Sequence, residues 1–510
     1  MKKRIGTISL VLVLVIVAAI STSAQGLPAG GWWSPFQIQN VGDSQATVTY
    51  TAYEMQGGTA SYVEQMDVLV DPGTSVTYNP ALAPNYPTGT RIGFDTTDYH
   101  LPSGFVGGVE IASDQPLRAV VTVNNFESGG LGVAGGRASA YYQSVQEPGT
   151  LLNFPVMKHN YFGQTTFFYI QAAGGDATIN ATYTCTGCPA AVTGITIEAG
   201  RNYLLDPSAA SVPDSSLGSL TVQATSGEIA GVVIEAQHGG SSVVGTFALS
   251  TKGFGPDDAD TTVVAPTNKT KFFDATTGWQ LQNTTGTAAS SVVTFTVTNV
   301  QAGSPAAVAG IAAGDQFRHE FTVPANGSYL FSVGAAAGAN YYKAVEVGGT
   351  RTITDGLFFS GLVVSDQPLV ATVNEAAGAN RILYSAFGTS NATTKLAAPA
   401  VKEAFFNQRT SLNVQNVGNA ATTPSASYSC SDGSTYTVGA AQGVTAIEPG
   451  QAFNFFLLSD AVRWGAVVVP GSNNCAVTVT ASEPIVAVAQ ESITTGAQDI
   501  KNYEGFNLTP

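Results

Sequence analysis

Phe36-Gln37-Ile38-Gln39-Asn40-Val41-Gly42, near the start of the chain, and Leu412-Asn413-Val414-Gln415-Asn416-Val417-Gly418, near its end, are almost the same seven residues. In both, large apolar residues alternate with Gln or Asn. That period of two belongs to a strand with one buried face, and the glycine closes it in a turn. Two weaker copies stand between them, at Phe168 to Gly174 and at Trp279 to Gly286. A second alternating run follows each copy: Ala46, Val48 and Tyr50; Ile179, Ala181 and Tyr183; Val293, Phe295 and Val297; Ala426 and Tyr428. The residues between them are mainly Thr and Ser. Thr and Val are β-branched and suit a pleated surface, so each copy opens a hairpin.

Later landmarks recur in the same order. Turn quartets stand at Asp71 to Thr74, Glu198 to Arg201, Pro324 to Gly327 and Glu448 to Gln451. Ser113-Asp114-Gln115-Pro116-Leu117 and Ser365-Asp366-Gln367-Pro368-Leu369 split two apolar runs, with diverged forms at Ser226 to Ile229 and Ser482 to Ile485. A repeat this long, with strand and turn signals and no helical period, predicts a β-sandwich in each unit. Propeller blades are shorter, at roughly 40–50 residues. The expected fold is therefore all-β, with four tandem sandwich modules at 25–148, 149–253, 254–391 and 392–510. Each is expected to bury its own core, so the modules should follow one another as semi-independent links of a rod.

Residues 1–24 read as a signal peptide: basic Lys2, Lys3 and Arg4, an apolar core from Leu10 to Ile20, and small Thr22-Ser23-Ala24 before Gln25. The apolar run is shorter than the ~20 residues of a spanning helix, so no membrane span is expected after cleavage. The expected location is secreted, extracellular or at the cell surface. Only 11% of residues are charged and the net charge is −15, which argues against nucleic acid as a partner. An exported chain with four cysteines suggests two disulfides, Cys185–Cys188 and Cys430–Cys475.

Modules two to four each begin with a Pro-x-x-Lys-x-x-aromatic-Phe segment, carrying Lys158, Lys269 and Lys402. The same modules place Glu235, Glu375 and Glu491 after the late apolar strand, where alignment gives module one Asn125. The joint presence of the two residues predicts structural ion pairs Lys158–Glu235, Lys269–Glu375 and Lys402–Glu491, because removing one partner of a buried pair is costly. Module one has only Gln25 to Gly31 at the place of the Lys segment. It reads either as a sandwich lacking its first strand, open to a strand from a neighbour, or as one with a short edge strand within Gln25 to Trp33.

Signals for catalysis are weak. His100, His159, His238 and His319 form no metal-binding spacing, and no nucleophile elbow, phosphate loop or dinucleotide fingerprint is present. No enzyme is expected. Asp257, Asp258 and Asp260 form the densest acidic patch and are weak candidate Ca²⁺ ligands, so the expected cofactor set is none or calcium. Trp32-Trp33 and Tyr141-Tyr142 are aromatic doublets suited to sugar stacking or to packing between modules.

Taken with the FQIQNVG, SDQPL and PxxKxxFF segments, the chain resembles the tandem Ig-like β-sandwich modules of secreted bacterial cell-surface proteins of S-layer, sheath or adhesin type. The resemblance implies a structural subunit of a surface layer, sheath or extracellular filament. The alternative is an adhesin or carbohydrate-binding surface protein. Expected partners are further copies of the chain and a cell-envelope glycan.

Overall fold

The computed structural model describes residues 12–17, 27, 32–57, 61–78, 105–125, 138–237, 248–333, 341–342, 344–377, 380–405, 407–455, 472–493 and 501–508. The cleavage position after Ala24, His100, His238 and Phe406 lie outside the described residues. The fold is nearly all β, in several antiparallel sheets. No sheet passes from one sequence repeat into another among the described residues.

The opening motif takes the same place each time. On one side it pairs with the late apolar strand, setting Phe36, Phe168, Trp279 and Leu412 opposite Val121, Val233, Val373 and Ala489. On the other side it pairs with the strand after the turn quartet, where the same residues face Tyr78, Leu205, Phe331 and Phe455. In the last three repeats the late strand is one long element: Ser216–Gln237, Leu357–Ala377 and Asn473–Ile493. Its first half joins one layer and its second half the other. In the first repeat the same path is split into Val106–Ser113 and Leu117–Asn125 around Asp114-Gln115-Pro116.

The asparagine explains why the motif is written so consistently. Asn40 is buried; its Nδ2 donates to Ser44 O and Val70 O, and its Oδ1 accepts from Gly42 N. Asn416 makes the matching bonds to Ala420 O, Ile447 O and Gly418 N. Asn283 donates to Thr287 O and accepts from Thr285 N. The side chain thus satisfies backbone groups where the chain leaves one layer for the other, which a buried bend requires. The turn quartets add a left-handed residue at a fixed place, Gly73, Gly200, Asn326 or Gly450. Gly and Asn adopt that conformation at least cost.

The structure departs from one sequence expectation in an informative way. Alternation predicts one buried face for the motif strand, yet Phe36–Asn40 is buried on both. Its polar face meets a neighbouring repeat. Gln37 Nε2 donates to Pro399 O of the fourth repeat at 2.6 Å, and Gln280 Nε2 to Gly218 O of the second at 2.8 Å. Gln171 sits so close to Gly108 of the first repeat that a Cβ there would clash with it. Neutral amides suit such a face, since they bond backbone groups without carrying a charge out of water.

The repeats therefore do not form a rod of separate links. Each ends in a closing strand: Ala138–Gln143, Ala248–Lys252, Asn380–Ser385 and Lys501–Glu504. These four touch in cyclic order, first to second, second to third, third to fourth and fourth to first. Every junction carries a hydrogen bond. Ser250 Oγ donates to Tyr141 O at 2.9 Å, Thr251 pairs with Ser385, Ser385 N donates to Glu504, and Gln143 Nε2 donates to Glu504 O at 2.7 Å. Apolar cores cross the junctions too. The cluster of the first repeat runs into Phe167, Tyr169 and Ile234 of the second, and Val120 and Tyr141 join the cluster of the fourth.

The asparagine bend gives a direct test. Replacing Asn416 with Ala should cost about 2–3 kcal/mol in denaturant unfolding, because two carbonyls and an N–H lose their partners together. The second repeat, which already carries Ala172, has no such side chain to lose.

Candidate functional site

The Lys segment is a strand with a built-in bulge. Leu151–His159, Asp260–Thr270 and Thr393–Glu403 each pair with the late strand, and each register slips around its proline, Pro155, Pro266 or Pro399. Proline has no N–H for the ladder, and a bulge is where a strand tolerates it. In the last two repeats a tyrosine of the closing strand takes up the freed backbone. Tyr384 OH donates to Thr267 O at 2.6 Å; Tyr503 OH donates to Ala400 O at 2.7 Å and accepts from Ala400 N at 3.1 Å.

Three residues after the proline, the lysine meets its glutamate. Lys158 Nζ lies 2.8 Å from Glu235 Oε1, Lys269 Nζ 2.8 Å from Glu375 Oε1, and Lys402 Nζ 3.0 Å from Glu491 Oε2. All three glutamates are buried. Each lysine N–H also donates to a threonine hydroxyl at 3.0 Å, from Thr166, Thr277 and Thr410. Those threonines stand eight positions after their lysines, a repeated spacing that would have marked them in the sequence. Lys158 and Lys402 add a bond of 2.6 Å to Gln164 Oε1 and Gln408 Oε1. In the third repeat Ala275 replaces that glutamine, and Lys269 instead lies 5.9 Å from the Phe358 ring centroid.

The register corrects the alignment of module one. Glu235, Glu375 and Glu491 stand opposite Leu249, Ile382 and Lys501; the matching pair in the first repeat is Val123 opposite Ala140. The place of the glutamate is thus held by Val123, not Asn125.

The fourth pair is the most elaborate. Lys501 Nζ lies 2.9 Å from Glu491 Oε1, and Tyr141, reaching over from the first repeat, donates its hydroxyl to Oε2 at 2.7 Å. Lys402 Nζ donates to Tyr141 OH at 3.1 Å. Burial alone would raise the Glu491 pKa, but the two ammonium groups and the tyrosine hydroxyl bring it down to about 2. Nothing in a single repeat foretells this, because Tyr141 and Glu491 meet only through ring closure.

The remaining candidates fall as follows. Cys185–Cys188 and Cys430–Cys475 are both bonded, the second between residues directly opposite in adjacent strands. Asp258 pairs with Lys252 at 3.0 Å and accepts from Gly255 N. Asp260 accepts from Ser390 N and Thr262 N, while Asp257 is exposed. Among the described residues, no group of three or more His, Cys, Asp or Glu side chains could hold a metal ion. Trp32, Tyr141 and Tyr142 are buried, with Tyr142 in its own core and Tyr141 in that of the fourth repeat. Among the described residues the exposed aromatics are instead Phe162 and Phe273, in left-handed turns that end the Lys segment.

Among the described residues, concave regions large enough for a ligand include the following pair. A cleft of about 770 Å³ between the third and fourth repeats is lined by Lys269, Phe273, Phe358, Glu375, Ile447 and Phe453. A second, of about 670 Å³, opens at one end of the ring of closing strands, with residues from all four repeats, among them Arg118, Gln143, Lys252, Asp258, Ser385 and Glu504. Burial raises the Glu504 pKa there.

No family model and no curated protein matches the chain. Among solved structures, Thermotoga maritima 1070 is similar at 13% identity and a TM-score of 0.19, over 23% of this chain and 97% of that one. A tetra-tandem repeat in the extending region of a large adhesion protein is similar at 14% identity and a TM-score of 0.10, over 98% and 100%. Streptomyces avermitilis α-L-rhamnosidase complexed with L-rhamnose is similar at 11% identity and a TM-score of 0.10, over 92% of this chain and 56% of that one. Likenesses this weak carry no argument. Among the described residues, no helix is long and apolar enough to cross a membrane.

The clamps make two tests. Lys269→Met or Glu375→Met alone should cost about 3–5 kcal/mol, since each leaves a buried charge unpaired, whereas the double variant should cost far less than their sum. Acid unfolding should expose Glu491. Its folded pKa lies below the ordinary 4.5, so its contribution is complete above pH 4.5 and is lost as pH falls towards about 2. A shift of that size corresponds to about 3 kcal/mol. Glu491→Gln should remove that part of the pH dependence.

Proposed function

We propose that the chain is a secreted structural protein of the cell surface, a subunit of a surface layer, sheath or extracellular filament. The observation that carries this reading is how the polar side chains are used. Gln37 and Gln280 of the motif strands, the closing-strand hydroxyls and the Lys–Glu clamps hold strands and repeats together. Two disulfides and a low charge content suit a durable particle outside the cell. A cohesive, compact unit is what an array needs from its subunit.

A second reading, an adhesin or carbohydrate-binding surface protein, is favoured by the cleft between the third and fourth repeats. Its aromatic rings and polar groups are the mixture a sugar ring meets in a binding site. The two readings part in one experiment, electron microscopy of the purified protein alongside a glycan-array screen. Ordered sheets or fibres without glycan retention support the structural subunit. Monodisperse particles that retain a glycan, with retention lost in Phe273→Ala, support the second reading and contradict the first.

A further inference from the structure

The cleft of about 670 Å³ at one end of the ring is where the four repeats differ most at matching places. On the late strand Arg118 stands opposite Gln39 of the opening motif. The same place holds Ala230 opposite Gln171, Val370 opposite Gln282 and Val486 opposite Gln415. Those three apolar residues are buried. On the closing strands one register position holds Gln143, Lys252, Ser385 and Glu504, opposite Val120, Val232, Thr372 and Val488. All four line the cleft, as does Arg118. One place in the repeat is thus filled by an amide, an ammonium, a hydroxyl and a carboxylate. Two residues further on, Val145 stands where the other repeats have Phe254, Phe387 and Phe506, so the first repeat leaves more room on its side of the cleft.

Two of the charges there have no counter-ion. Arg118 Nη1 donates to Leu117 O at 2.8 Å and to Gln146 Oε1 at 3.1 Å, both neutral acceptors. Its Nε and Nη2 make no hydrogen bond among the described residues. Burial pushes the Arg118 pKa down, and the charge of Glu147 offsets this only in part. Glu504 is 3% exposed; its carboxylate accepts from Ser385 N and forms no ion pair among the described residues. Lys252, whose charge acts on it, is held by Asp258 at 3.0 Å. The guanidinium and the carboxylate line the same cleft and do not pair with each other. Desolvated groups of opposite sign, kept apart by the strands that carry them, match a molecule with an anion at one end and a donor at the other. The Nε–Nη2 edge of an arginine is the fork that takes a carboxylate in two parallel bonds. The volume suits a small molecule, for which sites run to roughly 300–1,000 Å³.

We infer that this cleft binds a small carboxylate that carries a hydrogen-bond donor, a hydroxyl or an ammonium, at its far end. Arg118 takes the carboxylate, and Glu504 accepts from the donor. Because all four repeats contribute to the lining, the bound molecule also ties the ring together. The site shares no lining residue with the cleft between the third and fourth repeats. The inference is independent of whether the protein builds a surface array.

The test measures binding and thermal unfolding of the whole protein with glucuronate and ε-aminocaproate, each beside a matched control. Glucose lacks the carboxylate, and caproate lacks the far donor. Glucuronate or ε-aminocaproate should bind saturably and raise the unfolding temperature. The tighter of the two tells whether the donor is a hydroxyl or an ammonium. Glucose and caproate should bind at least about tenfold more weakly. Arg118→Val gives the first repeat the residue that the third and fourth already hold, so the ring should close while affinity falls at least about tenfold. If Arg118→Val fails to fold, Arg118→Lys decides: it keeps the charge and loses the fork, and the same fall is expected. Glu504→Gln should remove the advantage over caproate. Binding of neither probe, glucose or caproate binding as tightly, unchanged affinity in the arginine variant, or an advantage over caproate that survives Glu504→Gln overturns the inference.

Discussion

Four short closing strands, each pressed against the closing strands of two other repeats, are the constraint on which the rest of the structure depends. A sandwich that stood alone would turn the outer face of its last strand to water and could carry charged residues there. In this chain that face is shared, so it carries hydroxyls and an amide satisfied by a neighbouring repeat, as at Ser250, Thr251 and Gln143, and its one buried carboxylate, Glu504, accepts from Ser385 N across the seam. The same constraint explains the motif strand. Its glutamines look outward when one repeat is considered alone and are buried once the ring is closed.

Buried charge is tolerated on the same terms. Each Lys–Glu pair sits where the proline bulge brings the first strand over the late strand, and a threonine hydroxyl fixes the lysine backbone beside it. A buried ion pair contributes little net stability against a good apolar replacement, but breaking half of it is costly. That asymmetry favours keeping or losing the residues together. At the junction of the fourth and first repeats the pair is extended by Lys501 and Tyr141, so one network spans the point where the two ends of the repeat array meet.

Much of the fold is legible in the sequence because it is local. Alternation in Phe36–Asn40, the turn quartets with their Gly or Asn, and the Thr/Val runs all act within one hairpin, and they lead to an all-β architecture of antiparallel sheets. The pairs Lys158–Glu235, Lys269–Glu375 and Lys402–Glu491 are legible because repetition lets distant residues be compared. Asn125 is displaced by simple counting: Val123 stands six residues after Leu117 of the first SDQPL segment, as Glu375 stands six after Leu369 of the other, so this position was legible in the sequence. What is set by contact between repeats is not legible. Tyr141 gives no sign of its bond to Glu491.

Small-angle X-ray scattering tests ring closure most directly. A closed, compact arrangement of this length should give a radius of gyration of roughly 24 Å from the scaling for folded chains. Four sandwiches strung out as a rod would exceed about 40 Å, from the size of one such unit. A value near the first figure, with a pair-distance distribution that falls off without a long tail, is the result expected. An extended profile would contradict the ring, and with it the closing strands as the seam that joins the four repeats.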